Sequence, residues 1–219
     1  MSDLVIFGTG SFAELAHFYF SRDSDHRVVA FTADADHIRQ PTAAGLPVVA
    51  FESLDREFPA SQCRMFVAVG YRQVNGIRER VYEEAKRRGY ELVTYVSSRC
   101  TFYSGTPIGD NCFIFEDNTI QPFVTIGNDV VMWSGNHVGH HTTIGDHTFL
   151  ASHVVISGHV KVGRRCFFGV NATVRDAITI GDRSVIGAGA IVMKSTHPDE
   201  VYIAARTERD HRKSGDIGL

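Results

Sequence analysis

The densest run of chemically capable residues is "GNHVGHHTTIGDH", Gly135 to His147, which carries His137, His140, His141 and His147; His153 and His159 follow soon after. Imidazoles at this density support two chemistries. Three that converge can ligate a transition metal and leave a fourth position open. One that is suitably placed can take the proton of an attacking nucleophile, because its unperturbed pKa of ~6.5 suits proton transfer near neutral pH. A second group lies near the amino end. There "GTGSFAE" (8–14) supplies Gly8, Gly10 and Ser11 for a tight strand-to-helix turn whose backbone can approach phosphate at a helix N-terminus. Asp34, about 25 residues on, follows the second strand and is placed to accept from a ribose hydroxyl.

The elements that must position these residues follow two grammars. Up to about residue 97, strand-like and helix-like segments alternate. "LVIFG" leads into a helix with Phe12, Leu15, Ala16 and Tyr19 on one face. "RVVAFTA" (27–33), "LPVVAF" (46–51) and "RMFVAVG" (64–70) read as further strands, and "ELVTYV" (91–96) closes the unit. "GIRERVYEEAKRRG" reads as a charged helix stopped by Gly89. This alternation predicts an α/β unit with a parallel sheet, half the size of a dinucleotide fold and therefore suited to one nucleotide. Gly70 and the following Asn75 and Arg78 lie at another strand end, where α/β ligands bind, and are expected to contact the ligand of this unit.

From residue 98 the pattern changes. Every sixth residue from Ile108 to Val192 is apolar, fifteen in succession, in a chain that is 43% hydrophobic overall. Chance would give this about three times in a million, so the six-residue period is real. It predicts a parallel β-helix with one short strand and one corner per hexapeptide, three hexapeptides per triangular coil and about five coils. The strongest Ile/Val-Gly pairs, at 108, 126, 144, 162 and 180, recur every 18 residues, as that coil length requires. The expected organisation is a nucleotide-binding domain over 1–97, a β-helix over 98–195 and a tail over 196–219.

Composition narrows the function further. A net charge of -3 and a pI near 6.4 give no case for nucleic-acid binding. The four cysteines show neither CxxC spacing nor disulfide density. Cys112 and Cys166 fall on the inward small-residue position and are expected to pack rather than act as nucleophiles. Gly8 and Gly10 interrupt the first apolar run, so no signal sequence is read, and no stretch is long and apolar enough for a membrane span. A cytoplasmic protein is expected.

The "GxGxxAE" turn joined to a hexapeptide-repeat β-helix resembles the bacterial sugar acetyltransferases of the sialic acid O-acetyltransferase and bacillosamine-pathway N-acetyltransferase type. The resemblance spans nearly the whole chain. It implies a left-handed β-helix that forms a homotrimer, acetyl-CoA in the groove between subunits, and a nucleotide-linked amino sugar held by the N-terminal domain. Carried over on Ile144-Gly145, it implies that His140 is the catalytic base, with His141 where the family has an acidic residue. Gly158 is implied as the backbone donor to the acetyl carbonyl. Phe12 stands where the family has a substrate-contacting histidine, and "IAAR" (203–206) replaces its usual C-terminal motif.

His159 lies 18 residues from His141, so the two should stack in adjacent coils and reach the acetyl group or orient His140. Lys194 and Arg206 are expected to meet the phosphates of CoA. His137, His147 and His153 are expected at the surface or an interface. No metal is expected: the spacing of γ-class carbonic anhydrases, the metal-dependent alternative, is absent, and no histidine lies between His37 and His137. The expected activity is N-acetylation of the amine of a nucleotide-linked amino sugar for surface-glycan synthesis. Sugar O-acetylation, a zinc enzyme and a non-catalytic nucleotide-sugar scaffold are the alternatives.

Overall fold

A computed structural model describes residues 2–217. In the N-terminal unit β1 (Ser2–Phe7), β2 (His26–Ala33), β4 (Leu46–Ala50) and β5 (Cys63–Val67) are parallel. The two-residue β3 (Thr42–Ala43) adds an antiparallel edge, giving the order β3-β4-β2-β1-β5. Helices α1 (Ser11–Arg22) and α2 (Gly76–Arg87) complete the unit. Gly8 makes the β1–α1 turn possible: its φ is +123°, and a Cβ there would meet the Ala68 carbonyl oxygen at 2.7 Å.

The segment "ELVTYV" does not simply close this sheet. Leu92 bridges to Met65, but β6 (Tyr95–Val96) pairs with Phe113–Ile114 and so begins the first face of the β-helix. One extended segment thus hands the chain from sheet to solenoid.

The rest is a left-handed parallel β-helix of two-residue strands six residues apart. Three faces result. The first runs through Phe113, Val131, Phe149, Phe167 and Val185, the second through Thr119, His137, Val155, Thr173 and Ile191, and the third through Thr125, Thr143, Lys161 and Thr179. The sixth-residue apolar positions from Ile114 to Val192 are all buried, and with Cys112, Val154, Cys166 and their equivalents they fill the interior. Each corner needs a residue in the left-handed region, and these also recur every sixth position: Asn111, Asp117, Phe123, Asp129, then His141, His147, His153 and His159. Asn, Asp and His tolerate that conformation better than most side chains, which gives much of the histidine run a backbone reason.

The N-terminal unit sits on the first face because that face is apolar outward. Phe113 and Phe115 pack with Phe20, Phe66 and Tyr95 in one core shared by both halves. A polar lock stands beside it. Arg78, fully buried, donates from Nε to Asp129 Oδ2 at 3.1 Å and from Nη2 to the His147 carbonyl at 2.8 Å.

Candidate active site

His140 and His141 project from the corner between the second and third faces, just after the buried Val138. The ladder fixes this corner. The His140 N–H donates to Gln121 Oε1 at 2.9 Å, and the His159 N–H in the next coil donates to the His140 carbonyl at 2.9 Å. The His140 ring lies over Gly158, where a Cβ would sit 2.9 Å from its Cε1 and 3.0 Å from its Nε2. Only glycine therefore lets the imidazole rest on that backbone. The Gly158 N–H has no acceptor among the described residues and remains free to donate.

Around His140 the corner is built of rings. His140 Nδ1 is 3.1 Å from His141 Nδ1. The His141 and His159 rings stack at 4.8 Å and 12°, as the 18-residue spacing requires, and His140 meets His159 edge-on at 4.9 Å. Phe123 closes the other side of His141, with centroids 4.6 Å apart. All three histidines are exposed. An exposed base beside a free backbone N–H can deprotonate a nucleophile and stabilise the oxyanion it creates.

Further up the same corner, at the residue two after the core position, stands Lys194. It is three coils beyond His140 in register, ~14 Å away at ordinary strand spacing, and it is exposed. Arg206 is exposed in the tail, whereas Arg212 there is paired with Asp210 at 2.7 Å.

The N-terminal unit holds a cavity of about 800 Å³ at the carboxyl ends of its strands. Gly8, Gly10, Asp34 and Gly70 line it, together with Thr9, His37, Tyr71, Arg72, Gln73 and Arg80, which sequence reasoning did not single out. The Arg80 guanidinium donates to Asp34 Oδ2 at 2.8 Å, so Asp34 is already partnered through one oxygen. Of these, Arg72 could have been suspected from "YRQ" directly after Gly70.

Several expected contacts fall elsewhere. Ser11 is exposed at the start of α1 and does not line the cavity. Phe12 turns into the core, edge-on to Phe113 at 5.5 Å and Phe66 at 6.1 Å. Asn75 and Arg78 are fully buried. Asn75 Nδ2 donates to the Cys166 carbonyl at 2.9 Å and Arg78 clasps Asp129, so both join the two halves of the chain rather than face a ligand. His147 is likewise not a surface residue. It is 4% exposed, its Nδ1 lies 2.8 Å from Asp129 Oδ2, and Tyr82 packs edge-on against it.

The cysteines fit packing roles. Burial pushes the Cys112 and Cys166 thiols up to about 12 and those of Cys63 and Cys100 up to about 11, so none offers a thiolate nucleophile near neutral pH.

A family model described as the hexapeptide repeat of succinyl-transferase matches residues 159–194. No curated protein matches the sequence significantly. Among solved structures, the perosamine N-acetyltransferase PerB from Caulobacter crescentus, in complex with CoA and GDP-perosamine, gives a TM-score of 0.82 at 26% identity. That match covers 92% of this chain and 93% of PerB. This chain resembles the hexapeptide-repeat sugar N-acetyltransferases over nearly its whole length. The acetyltransferase domain of PglB from Neisseria gonorrhoeae (20% identity, TM-score 0.77, 91% of this chain and 94% of that one) shares the fold. So does WeeI from Acinetobacter baumannii AYE (18%, 0.77, 92% and 96%). Among the described residues no helix is long and apolar enough to cross a membrane.

Proposed function

We propose that the chain transfers an acetyl group from acetyl-CoA to the amine of a nucleotide-linked amino sugar, with His140 as general base. The observation that carries this reading is the pairing of His140 with the free N–H of Gly158 beneath it, in a chain similar to an enzyme solved with CoA and GDP-perosamine. The amine nitrogen attacks the thioester carbonyl while His140 removes its proton. The carbonyl oxygen, now an oxyanion, accepts from Gly158 N–H. Collapse breaks the C–S bond, and the departing CoA sulfur takes a proton to leave as the thiol. No covalent acetyl-enzyme is needed, in keeping with the four raised thiols.

The active unit in this reading is a homotrimer. The cavity lies against the first face, where Tyr71 packs on Phe149 at 5.1 Å and Phe167 at 4.8 Å. His140 sits at the corner between the other two faces, across the prism from that face. One chain therefore cannot bring the two together, but a neighbouring copy related by rotation can. CoA would run along the corner from Gly158 toward Lys194, with Arg206 of the tail at its phosphates. Gly8 and Gly10 would take the nucleotide phosphates, and Asp34 a ribose hydroxyl. Cytoplasmic acetyl-CoA and nucleotide-sugar pools are the matching location, and glycan assembly the matching use.

The test is a panel of nucleotide-linked 3-amino and 4-amino sugars with acetyl-CoA, read by CoA release and product mass. Transfer to at least one amine, giving an alkali-stable amide, is expected. Transfer only to a sugar hydroxyl, giving an alkali-labile ester, would replace N- with O-acetylation, and no transfer to either group would favour a scaffold.

A further inference from the structure

The three histidines of the catalytic corner converge in a way that base catalysis does not require. One ring nitrogen from each of His140, His141 and His159 lies within 4.8 Å of the others. The His140 and His141 Nδ1 atoms, 3.1 Å apart, are already near the ~3.3 Å separation of neighbouring nitrogens around a tetrahedral zinc with ~2.0 Å bonds. At most one of two nitrogens so placed can hold the proton between them, so at least one of the pair is an unprotonated acceptor. His141 and His159 are set in adjacent coils by left-handed corners with φ of +58° and +59°, and their rings are stacked. The third ligand has to close from within 4.8 Å of the other two toward that separation. No carboxylate belongs to the group. An all-imidazole set favours zinc, copper or nickel and disfavours magnesium and calcium.

We infer that this corner is an inhibitory binding site for a transition-metal dication, zinc above all, ligated by His140, His141 and His159 with the fourth position left to water. The ion is not a cofactor of acetyl transfer. Binding it occupies the lone pair that His140 needs as base and blocks the approach of the acceptor amine, so bound metal and acetyl transfer exclude each other. The inhibition rests on His140 being the base; the binding does not.

The binding is tested by titrating the purified full-length protein with zinc in competition with a chromophoric chelator, and with cobalt(II) followed by its visible absorption. One ion per chain is expected. His140→Asn, His141→Asn and His159→Asn should each weaken binding at least ~10-fold; asparagine suits the left-handed corners at 141 and 159, which protects the fold. His153→Asn, at an equivalent corner outside the cluster, should leave the affinity unchanged. Absence of one-to-one binding by the wild type, or equal weakening by His153→Asn, would overturn the site. In the activity arm, zinc should abolish acetyl transfer by the wild type and a chelator should restore it. Full transfer at saturating zinc would overturn the inhibition. A wild type that binds zinc but acetylates no amino sugar would instead sink the acetyltransferase reading and leave the metal site standing.

Discussion

Gly158 is the residue on which the placement of His140 depends most closely. Its backbone is not in the left-handed region, so alanine fits the chain there, but the added methyl would press on the His140 ring at 2.9–3.0 Å. Gly158→Ala is therefore expected to lower kcat by ~10²-fold, the scale of a displaced catalytic group, with an unchanged circular dichroism spectrum and melting temperature. A variant with wild-type kcat would show that His140 does not work from this position. At this scale the sequence was readable where the hexad numbering says which way a side chain points. It put Val138 and Ile144 inside and His140 and His141 outside, as the structure has them. It left His147 between surface and interface because the repeat defines only the interior and says nothing about what covers the exterior. The outward residues of the first face, Phe113, Val131, Phe149 and Phe167, carried that missing information: apolar groups outside a β-helix need a partner.

At the scale of elements, α2 is the strap between the halves. Glu79, Tyr82 and Lys86 lie on the side that bears Arg78, at helical spacing, and all face the β-helix. Tyr82 donates to Asp110 Oδ1 at 2.6 Å, Lys86 pairs with Asp110, and Glu79 pairs with Arg164 and Arg165. In the sequence this stripe looks like the solvent face of a charged helix, since periodicity alone does not separate water from a polar partner. The central pair, Arg78 and Asp129, is fully buried on both sides. Removing one member strands the other charge, so Arg78→Met is expected to cost about 3 kcal/mol in urea unfolding. A loss under 1 kcal/mol would mean that His147 and Asn111, which also contact Asp129, satisfy it without arginine.

For the whole molecule, the account divides one active site between chains. Gly70 lines the cavity and has open space at its Cβ, so Gly70→Trp should fill the pocket without disturbing the fold. Co-assembled with His140→Ala, each inactive alone, it should recover part of the wild-type acetyl transfer, because some sites then pair an intact cavity with an intact histidine. No recovery in verified mixed trimers would place cavity and histidine in the same chain. The two-part architecture was legible from the change of grammar near residue 97; the handing of Tyr95–Val96 to the first coil was not, because a two-residue strand has no periodicity to read. The most direct measurement compares the wild type with His140→Ala on an accepted nucleotide-linked amino sugar, following CoA release at saturating acetyl-CoA. The account predicts a loss of ~10²–10⁴-fold in kcat with little change in KM, and wild-type turnover by His140→Ala would contradict it.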